Sequence, residues 1–446
     1  MRNDLIALDK KHFIHPTSSI KQQQEDGAKF IFEEGDGIYL KDIEGRTFID
    51  AMSSLWNVNL GHGRKELADA AHEQMMKMAF SSAFSTFSHE PAIRLAEKVA
   101  ELTPGDLNAV FFTSGGSESN DSAFKLARHY WKLKGEPERR KIISRKKAYH
   151  GVAAAATSAT GIPEFWDMAG LLSDDFHHAE APYEISTGEA INSIRKVIER
   201  EGPETIAAFL AEPIQGAGGV IVPPDDYFAE VRKLCDEYGI LFIADEVITG
   251  FGRTGTMFGL EHWNVVPDML TFAKGVSSGY IPLGGVAVSN EIHELLKERS
   301  TTTLFHGFTY SGHPAACMVG LKTIEIIEKE NLVENSRKMG EELLAGFRRL
   351  KNEINIIGDV RSVGLLGAVE LVQEPATNKR FPANMKVAPK VIEALYDRGV
   401  ICRPVTYDGT AIITFAPPLN VNTDQIGEIV EKLHDALLAV REELSI

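Results

Sequence analysis

The sequence predicts an α/β fold, with a large domain built on a mainly parallel β-sheet flanked by helices. The first observation is a set of short apolar runs followed by turn residues, such as Ile240–Ala244 and Met269–Ala273. Such runs are typical of strands buried in a parallel sheet. The second is that amphipathic segments of helical length alternate with these runs, as in βαβ units. The third is a change in pattern after Asn331, which predicts a smaller α+β domain.

The large domain is predicted at residues 76–325, and the smaller domain at residues 1–75 and 326–446. Residues 1–30 are expected to form an extended arm with a short helix that ends near Phe13, because His15-Pro16 disfavours a longer one. A meander of three short strands follows, with turns at Gly35-Asp36-Gly37 and Glu44-Gly45. This meander is expected to join the C-terminal segment in the smaller domain.

The further elements are predicted in chain order from their periodicity. The helices are Lys65–Ala79, Pro91–Leu102, a stretch ending near Lys134, Glu189–Glu201, Asp226–Tyr238, Pro314–Lys329, Asn331–Glu353, Val387–Asp397 and Asp424–Leu444. The strands are Ala109–Phe112, Lys141–Ser144, Ile206–Ala211, the two runs above, Gly364–Leu371, and a hairpin of Ile401–Pro404 with Ala411–Phe415. Asp174–Glu184 is expected to be a surface loop, and Val286–Val288 an edge strand.

The composition limits the classes of partner. The chain has 446 residues and a net charge of -16, from 47 basic and 63 acidic residues. This charge argues against non-specific binding to nucleic acid or to an anionic membrane. No apolar segment reaches the length of a membrane span, and the N-terminus lacks the apolar core of a signal peptide. Three well-separated cysteines without a CxxC motif fit a reducing, cytoplasmic setting, and no metal-ligand cluster is apparent.

An acid and an amine follow two of the predicted strands. Asp245 ends the run Ile240–Ala244, and Lys274 ends the run Met269–Ala273. Because ligands of open α/β sheets bind at the carboxyl ends of the strands, both side chains are expected at one edge of the sheet. A lysine together with a carboxylate partner for the pyridine nitrogen is the pattern of a pyridoxal phosphate site.

A glycine-rich junction between a strand and a helix is a candidate phosphate site. Thr113-Ser114-Gly115-Gly116-Ser117 links the strand Ala109–Phe112 to the next helix. Glycines allow close approach, and the first N–H groups of a helix attract anions. The local sequence is equally compatible with a helix cap made by Ser117.

Three other features have competing interpretations. Gly250–Gly255 matches GxGxxG, but the preceding strand ends several residues earlier and no amphipathic helix follows, so a dinucleotide site is not predicted. Tyr149 follows a strand and could stack on a planar ring, although a lone Tyr is more often structural. Trp56, in a loop of small and amide residues, would on its own be a core or interface residue.

Taken together, the ordered motifs resemble those of the class III, or omega, aminotransferases, a family of pyridoxal phosphate enzymes of fold type I. The motifs are SGGSESND, YHG, AEPIQGAGGVIVPP, ADEVITGFGRTG, FAKGVSSGYIPLG and HGFTYSGHP. The resemblance covers nearly the whole chain. It implies transfer of an amino group from a small-molecule amine donor to a keto acid acceptor by ping-pong kinetics.

The resemblance also implies roles for individual residues. Lys274 would bind the cofactor and carry the proton, while Asp245 would pair with the pyridine nitrogen. The remaining residues of the implied cofactor site are Gly116 and Ser117 at the phosphate, Tyr149 and Val247 on the two ring faces, Glu212 at the carboxylate region or the ring hydroxyl, and Phe308 and Thr309. Thr309 would complete the phosphate site of a partner subunit, which implies a homodimer with the active site at the interface.

Substrate residues follow from the amine:pyruvate branch of the family, which the chain resembles most. Trp56 would line the substrate pocket, and Arg403 would bind the carboxylate of the keto acid, because a guanidinium fork suits a carboxylate. The alternative for Arg403 is a salt bridge that braces the hairpin. Phe84 is a further candidate for the pocket.

Related activities remain open at this point. Diaminopelargonic acid (adenosylmethionine-8-amino-7-oxononanoate) aminotransferases tend to have paired aromatic residues where this chain has Leu55-Trp56, which favours the amine:pyruvate branch. Taurine:pyruvate and beta-alanine:pyruvate enzymes are also similar. An aminomutase of the same fold, and a catalytically silent binding protein, are the competing hypotheses from other classes.

Overall fold

The computed structural model of the protein describes residues 2–168 and 173–446. Its helices are α1 (Arg2–His12), α2 (Ile20–Asp26), the kinked single turn α3 (Ser53–Trp56), α4 (Lys65–Lys77), α5 (Glu90–Leu102), α6 (Gly116–Lys134), α7 (Ala154–Ala159), α8 (Thr187–Glu201), α9 (Tyr227–Tyr238), α10 (Asn290–Arg299), α11 (Pro314–Lys329), α12 (Leu332–Glu353), α13 (Val387–Asp397) and α14 (Thr423–Leu444). Its strands are β1 (Phe32–Asp36), β2 (Tyr39–Asp42), β3 (Thr47–Asp50), β4 (Ala109–Thr113), β5 (Lys141–Arg145), β6 (Phe176–Ala179), β7 (Ile206–Ala211), β8 (Leu241–Asp245), β9 (Met269–Phe272), β10 (Gly284–Val288), β11 (Ile357–Val363), β12 (Leu366–Leu371), β13 (Val400–Ile401), β14 (Arg403–Val405) and β15 (Ile412–Phe415).

A seven-stranded sheet in the order β4-β10-β9-β8-β7-β5-β6 forms the centre of the molecule. Pairing is parallel from β9 to β6, whereas β10 runs antiparallel to both of its neighbours. Successive residues of the strands alternate between two cores. Phe209 and Phe242 pack with α8 and α9, while Leu210 and Ile243 pack with α6. Burial on both faces explains the continuous apolar runs in the sequence.

Two expectations about this sheet were wrong. Phe176–Ala179 is an edge strand within the predicted loop Asp174–Glu184, and it pairs in parallel with β5. The polar residues at its centre, His177-His178, do not give the apolar pattern of a buried strand, although Phe176 and Ala179 are buried. The strand predicted at the edge, Val286–Val288, lies inside the sheet, because β10 fills the space between β4 and β9.

Two smaller sheets flank this centre. One has the order β1-β2-β3-β13, and the other the order β11-β12-β15-β14. The first joins distant parts of the chain, since Val400 pairs in parallel with Ile49. The predicted hairpin is present as β14 and β15, with Arg403 opposite Thr414. The division into domains at residues 76–325 stays a prediction.

Within residues 2–168 and 173–446, no helix has both the length and the apolar character needed to cross a membrane. The same residues contain no group of three or more His, Cys, Asp or Glu side chains placed to hold a metal ion. Cys235, Cys317 and Cys402 are buried free thiols.

Candidate active site

Asp245 and Lys274 lie on adjacent strands at the same edge of the large sheet. Asp245 is the last residue of β8 and pairs with Thr271 of β9. Lys274 begins a 3-10 turn, Lys274–Ser277, directly after β9. Both residues line a cavity of about 320 Å³. The sheet therefore delivers a carboxylate and an amine to one enclosed space, as its strand ends predict.

The Asp245 carboxylate is fixed by two buried side chains. Asn120, one turn into α6, donates from Nδ2 to Asp245 Oδ2 over 2.8 Å. His150 Nδ1 lies 2.7 Å from the same oxygen. Since a carboxylate only accepts, Nδ1 carries the hydrogen of this bond. Asn120 is held in turn by Thr271 Oγ1, which donates to its Oδ1.

Lys274 has an unusual backbone and a perturbed amine. Its φ of 47° lies in the left-handed region, which is uncommon for a residue with a side chain. Burial lowers the pKa of the Lys274 amine, whereas the charges of Asp245 and Glu212 raise it. Burial is the larger effect, so the neutral amine is more accessible than in an exposed lysine.

Glu212 is a second buried carboxyl group of the cavity. Burial raises the pKa of Glu212 to about 7, with the nearby Asp245 charge acting in the same direction and His150 opposing it. Its Oε1 accepts from Tyr149 N over 3.0 Å, and its Oε2 accepts from Gly216 N over 2.9 Å. Glu212 thus ties together the loop that carries Tyr149 and the glycine loop after β7.

The junction before α6 offers unpartnered backbone donors to the cavity. The cap residue, Gly115, makes no side-chain capping bond. Ser117 Oγ does not cap the helix but accepts from Val152 N over 3.0 Å. The capping interpretation of Ser117 is therefore wrong, and Gly115, Gly116 and Ser117 at the start of α6 line the cavity.

Val247 packs below this junction. A Cβ added to Gly116 would lie 2.8 Å from Val247 Cγ1, so the glycine is needed for the contact. Val247, Gly116, Ser117 and Tyr149 all line the cavity together with Asp245 and Lys274.

The two residues of the Leu55-Trp56 pair face different ways. Leu55 lines the cavity and is half-exposed. Trp56 is buried in a cluster with side chains such as Ile248 and Ile412. Arg403 lies over Trp56, with the guanidinium carbon 5.0 Å from the ring centre, which is a cation–π contact. Leu55 rather than Trp56 therefore contributes to the cavity wall.

Arg403 makes no salt bridge to any carboxylate in the described part of the chain. The alternative of a bracing salt bridge is thus unsupported. The charge of Arg403 lowers the pKa of the Lys274 amine, which places it within electrostatic reach of the cavity. This guanidinium lies near the cavity but is not among the residues that line it.

Phe84, Phe308 and Thr309 do not line the cavity of the single chain. Phe84 packs against the backbone of the loop before α11, since a Cβ on Gly307 would lie 3.1 Å from its ring. Thr309 is exposed in the same loop. The structure therefore groups these three residues with each other and apart from Lys274.

Comparison with known proteins identifies the family of this chain. The family model for class III aminotransferases matches residues 20–437. The chain belongs to the class III aminotransferases. Its predicted fold class and its resemblance to this family are both confirmed, and the protein is an aminotransferase.

Individual relatives of this aminotransferase cover nearly its whole length. It is 40% identical to putrescine–pyruvate aminotransferase of Pseudomonas aeruginosa, over 95% of this chain and 93% of that protein. It is 67% identical to a transaminase of known structure from the marine bacterium Virgibacillus, with a TM-score of 0.98 over 99% and 100% of the two chains. An (S)-enantioselective omega-transaminase from Thermomicrobium roseum is 46% identical, with a TM-score of 0.93 over 98% of each chain.

Sequence reasoning missed part of this aminotransferase's site. It assigned no role to Asn120 or to His150. The available signals were the position of Asn120 one turn after Gly116 and the adjacency of His150 to Tyr149. Both residues meet Asp245 only through the tertiary fold, so local periodicity could not reveal the contact.

Proposed function

We propose that this aminotransferase moves an amino group from an amine or omega-amino acid to a keto acid, with pyruvate as acceptor, by a ping-pong mechanism. The observation that carries the proposal is the pair of strand ends. A buried carboxylate, Asp245, and a desolvated amine, Lys274, face one cavity beside the start of a helix. That combination suits a cofactor with a ring nitrogen and a phosphate.

We propose pyridoxal phosphate as the cofactor, in keeping with the family. Asp245 would pair with the pyridine nitrogen, because a nearby carboxylate favours the protonated ring. The bonds from Asn120 and His150 leave Asp245 Oδ1 for this pairing, apart from the backbone N–H of Val247 at 3.1 Å. The charge complementarity between Asp245 and a pyridinium supports the fit.

The remaining groups of a bound cofactor also find partners. The N–H groups of Gly116 and Ser117 would hold the phosphate at the helix terminus. Val247 and Tyr149 would contact the two faces of the ring. Glu212 would hold Tyr149 in place through its bond to the Tyr149 N–H. The cavity of about 320 Å³ is within the range of small-molecule sites.

Bound pyridoxal phosphate supplies an electron sink for the substrate carbon that loses its proton. Lys274 would hold this cofactor through its Nζ. When free beside the substrate, the Nζ would accept the proton from the substrate carbon and later return it, as general base and then general acid. The lowered pKa of Lys274 favours the neutral form that this step needs.

The substrate end of the cavity fits a carboxylate and an apolar group. Arg403 is a cation without a carboxylate partner in the described residues, so it can bind the carboxylate of pyruvate. Trp56 contacts this guanidinium with its ring face, whereas Phe84 would reach a substrate pocket only from a partner subunit. The relative named putrescine–pyruvate aminotransferase supports an amine donor and pyruvate as acceptor.

We also propose a homodimer in which the partner subunit's Thr309 completes the phosphate site. The supporting observation is a group of exposed apolar side chains around Phe84 and the loop before α11. Its members are Phe80, Phe84, Phe87, Leu304, Phe305 and Tyr310. Exposed apolar groups of this kind mark protein interfaces. A cytoplasmic location is supported by the three buried free thiols.

A donor–acceptor panel on the purified protein loaded with pyridoxal phosphate tests the function. The donors are putrescine, phenylethylamine, taurine, beta-alanine and S-adenosylmethionine, each with pyruvate and with 2-oxoglutarate. We expect alanine to form from pyruvate with an amine donor, with parallel double-reciprocal plots. Activity restricted to S-adenosylmethionine, or turnover that needs no keto acid, would overturn the proposal in favour of diaminopelargonic acid synthesis or an aminomutase.

A further inference from the structure

The turn Gly250–Gly255, which matches a dinucleotide motif but lacks its context, has a different structural role. It leads from the β8 end, with Asp245, to the 3-10 turn Gly259–Trp263. Its residue Arg253 has no accessible surface. A fully buried guanidinium is costly unless its hydrogens are satisfied. The hydrogen-bond partners of Arg253 therefore indicate the structural role of this turn.

Arg253 donates to four neutral oxygens on three separate segments of the chain. Nη1 bonds to Leu365 O over 3.1 Å and to Pro417 O over 2.5 Å. Nη2 bonds to Ser53 Oγ over 3.0 Å and to Asn59 Oδ1 over 2.9 Å. One side chain thus ties the C-terminal segments to both ends of the loop that carries Leu55 and Trp56.

The C-terminal segments also contact the backbone of this turn. Arg253 O accepts from Leu365 N over 3.0 Å and from Ser336 Oγ over 3.1 Å. A Cβ on Gly364 would lie 2.3 Å from the backbone carbon of Thr254, so the two backbones are in contact. The absence of a side chain at Gly364 allows this approach, and the Arg253 backbone is bonded to the C-terminal segments.

The loop held by Arg253 is strained. Ser53, Ser54 and Trp56 have φ values of 46°, 56° and 58°, in the left-handed region. Non-glycine residues persist there only when their surroundings impose the conformation. Arg253 bonds to Ser53 at the start of this stretch and to Asn59 just after its end. Between them lies Leu55, which lines the cavity.

Both anchor residues are themselves fixed. Ser53 Oγ donates to Ala416 O over 2.7 Å, and Asn59 Nδ2 donates to Phe251 O over 3.0 Å. The buried Asp50 carboxylate accepts from Ser54 N. The Arg253 guanidinium and this carboxylate therefore both hold the strained loop.

We propose that Arg253 is a positioning residue for the substrate end of the site: it holds the Ser53–Asn59 loop so that Leu55 and Trp56 keep their places beside the cavity and below Arg403. The inference rests on the proposed function for its kinetic consequence only. A lysine at this position keeps the charge but cannot bond four acceptors as a planar fork. Arg253→Lys should therefore release the loop without changing the Asp245 and Lys274 end.

The first test is hydrogen–deuterium exchange on cofactor-free protein. Arg253→Lys should speed exchange in peptides covering residues 51–60 by about tenfold, because the loop loses fixed contacts. Arg139→Lys is the matched control, since Arg139 is a largely buried arginine that also donates to backbone oxygens, those of Pro203, Ile206 and Gly239. The control should leave exchange at residues 51–60 unchanged. Equal exchange in wild type and Arg253→Lys would overturn the proposal.

The second test is kinetic and uses the loaded enzyme. Arg253→Lys should keep the cofactor absorbance and raise KM for the amine donor about tenfold or more, with a smaller change in kcat. Ser53→Ala removes one of the four acceptors and should raise the KM for the amine donor about threefold. This variant tests the proposal if Arg253→Lys does not fold. Parallel losses of cofactor absorbance and thermal stability without a KM shift would assign Arg253 a purely structural role. If no substrate is turned over, the exchange result still decides.

Discussion

The two ends of the cavity are built in different ways. At the end proposed to hold the cofactor, Asp245 ends β8 and Lys274 follows β9, in a sheet buried on both faces, and Asp245 is held by Asn120 and His150. At the end proposed to bind the substrate, Leu55 lies on a strained loop whose contacts come from residues hundreds of positions away. The first end is fixed by regular structure, and the second by long-range side-chain bonds.

This difference predicts that one end of the cavity determines whether turnover occurs and the other determines which substrates are accepted. A sheet edge keeps its geometry when individual side chains change, because backbone hydrogen bonds and packing define it. A strained loop changes shape when a single support is lost. Substitutions at the cofactor end should therefore abolish turnover for every substrate, whereas substitutions at the substrate end should change which substrates are accepted.

The largest expected effect is that of Lys274→Ala. The variant removes the group proposed to anchor the cofactor and to move the proton, so turnover should fall by about 10⁴-fold or more for every substrate. The visible absorbance of the bound cofactor should shift or disappear, as absorbance spectroscopy would show. Lys146→Ala, which removes an exposed lysine paired with Glu180, should change neither property. Substantial turnover by Lys274→Ala would disprove the assignment.

Asp245→Asn should have the next largest effect. The substitution keeps the shape but removes the charge that favours a protonated pyridine, so kcat should fall by about 10²–10³-fold. Steady-state kinetics with two unrelated donors measures the loss, which should be the same for both. Glu246→Gln is the control, because Glu246 is also buried but accepts from Gly259 N and Leu260 N, away from the cavity. An equal loss in the control would show that burial, not the ring contact, matters.

Arg403→Ala should act on one substrate only. Loss of a charge-assisted bond to a carboxylate corresponds to an increase in KM for pyruvate of about 10- to 100-fold. The KM for an amine without a carboxylate should stay near its original value, which separates the two half-reactions. Arg380→Ala, at a cation paired with Glu184, should leave both values unchanged. Equal increases for both substrates would contradict the carboxylate role.

The smallest effect is one of pH on stability. Burial raises the pKa of Glu212 and of Glu246 from 4.5 to about 7. Between these values the native state binds more protons than the unfolded state, so the free energy of unfolding falls as pH rises from about 4.5 to about 7. Denaturant unfolding of the cofactor-free protein should show this slope, and each Gln variant should reduce it. Only Glu212→Gln should also alter the absorbance of the loaded enzyme; an unchanged slope in both variants would contradict the assigned pKa values.

The sequence predicted the cofactor end better than the substrate end for a physical reason. Apolar runs and glycine-rich junctions are local signals, and they located the strands before Asp245 and Lys274 and the start of α6. The place of β10 inside the sheet and the strand at Phe176 depend on which strands pair, which no local pattern contains. The burial of Trp56 in a cluster with Ile248 and Ile412, instead of in the cavity wall, depends on contacts with residues far along the sequence, which no local pattern contains.

The reversed strand β10 has a consequence for the shape of the site. It separates β4, which leads to the glycine junction, from β9, which leads to Lys274. Because β10 begins at this edge instead of ending there, the residues that lead into it, Ile281, Pro282 and Leu283, are the ones that line the cavity. A Cβ on Gly284 would lie 2.8 Å from Ser119 Oγ, so the start of β10 packs closely against α6. The cavity wall therefore combines residues that follow parallel strands with residues that precede a reversed one.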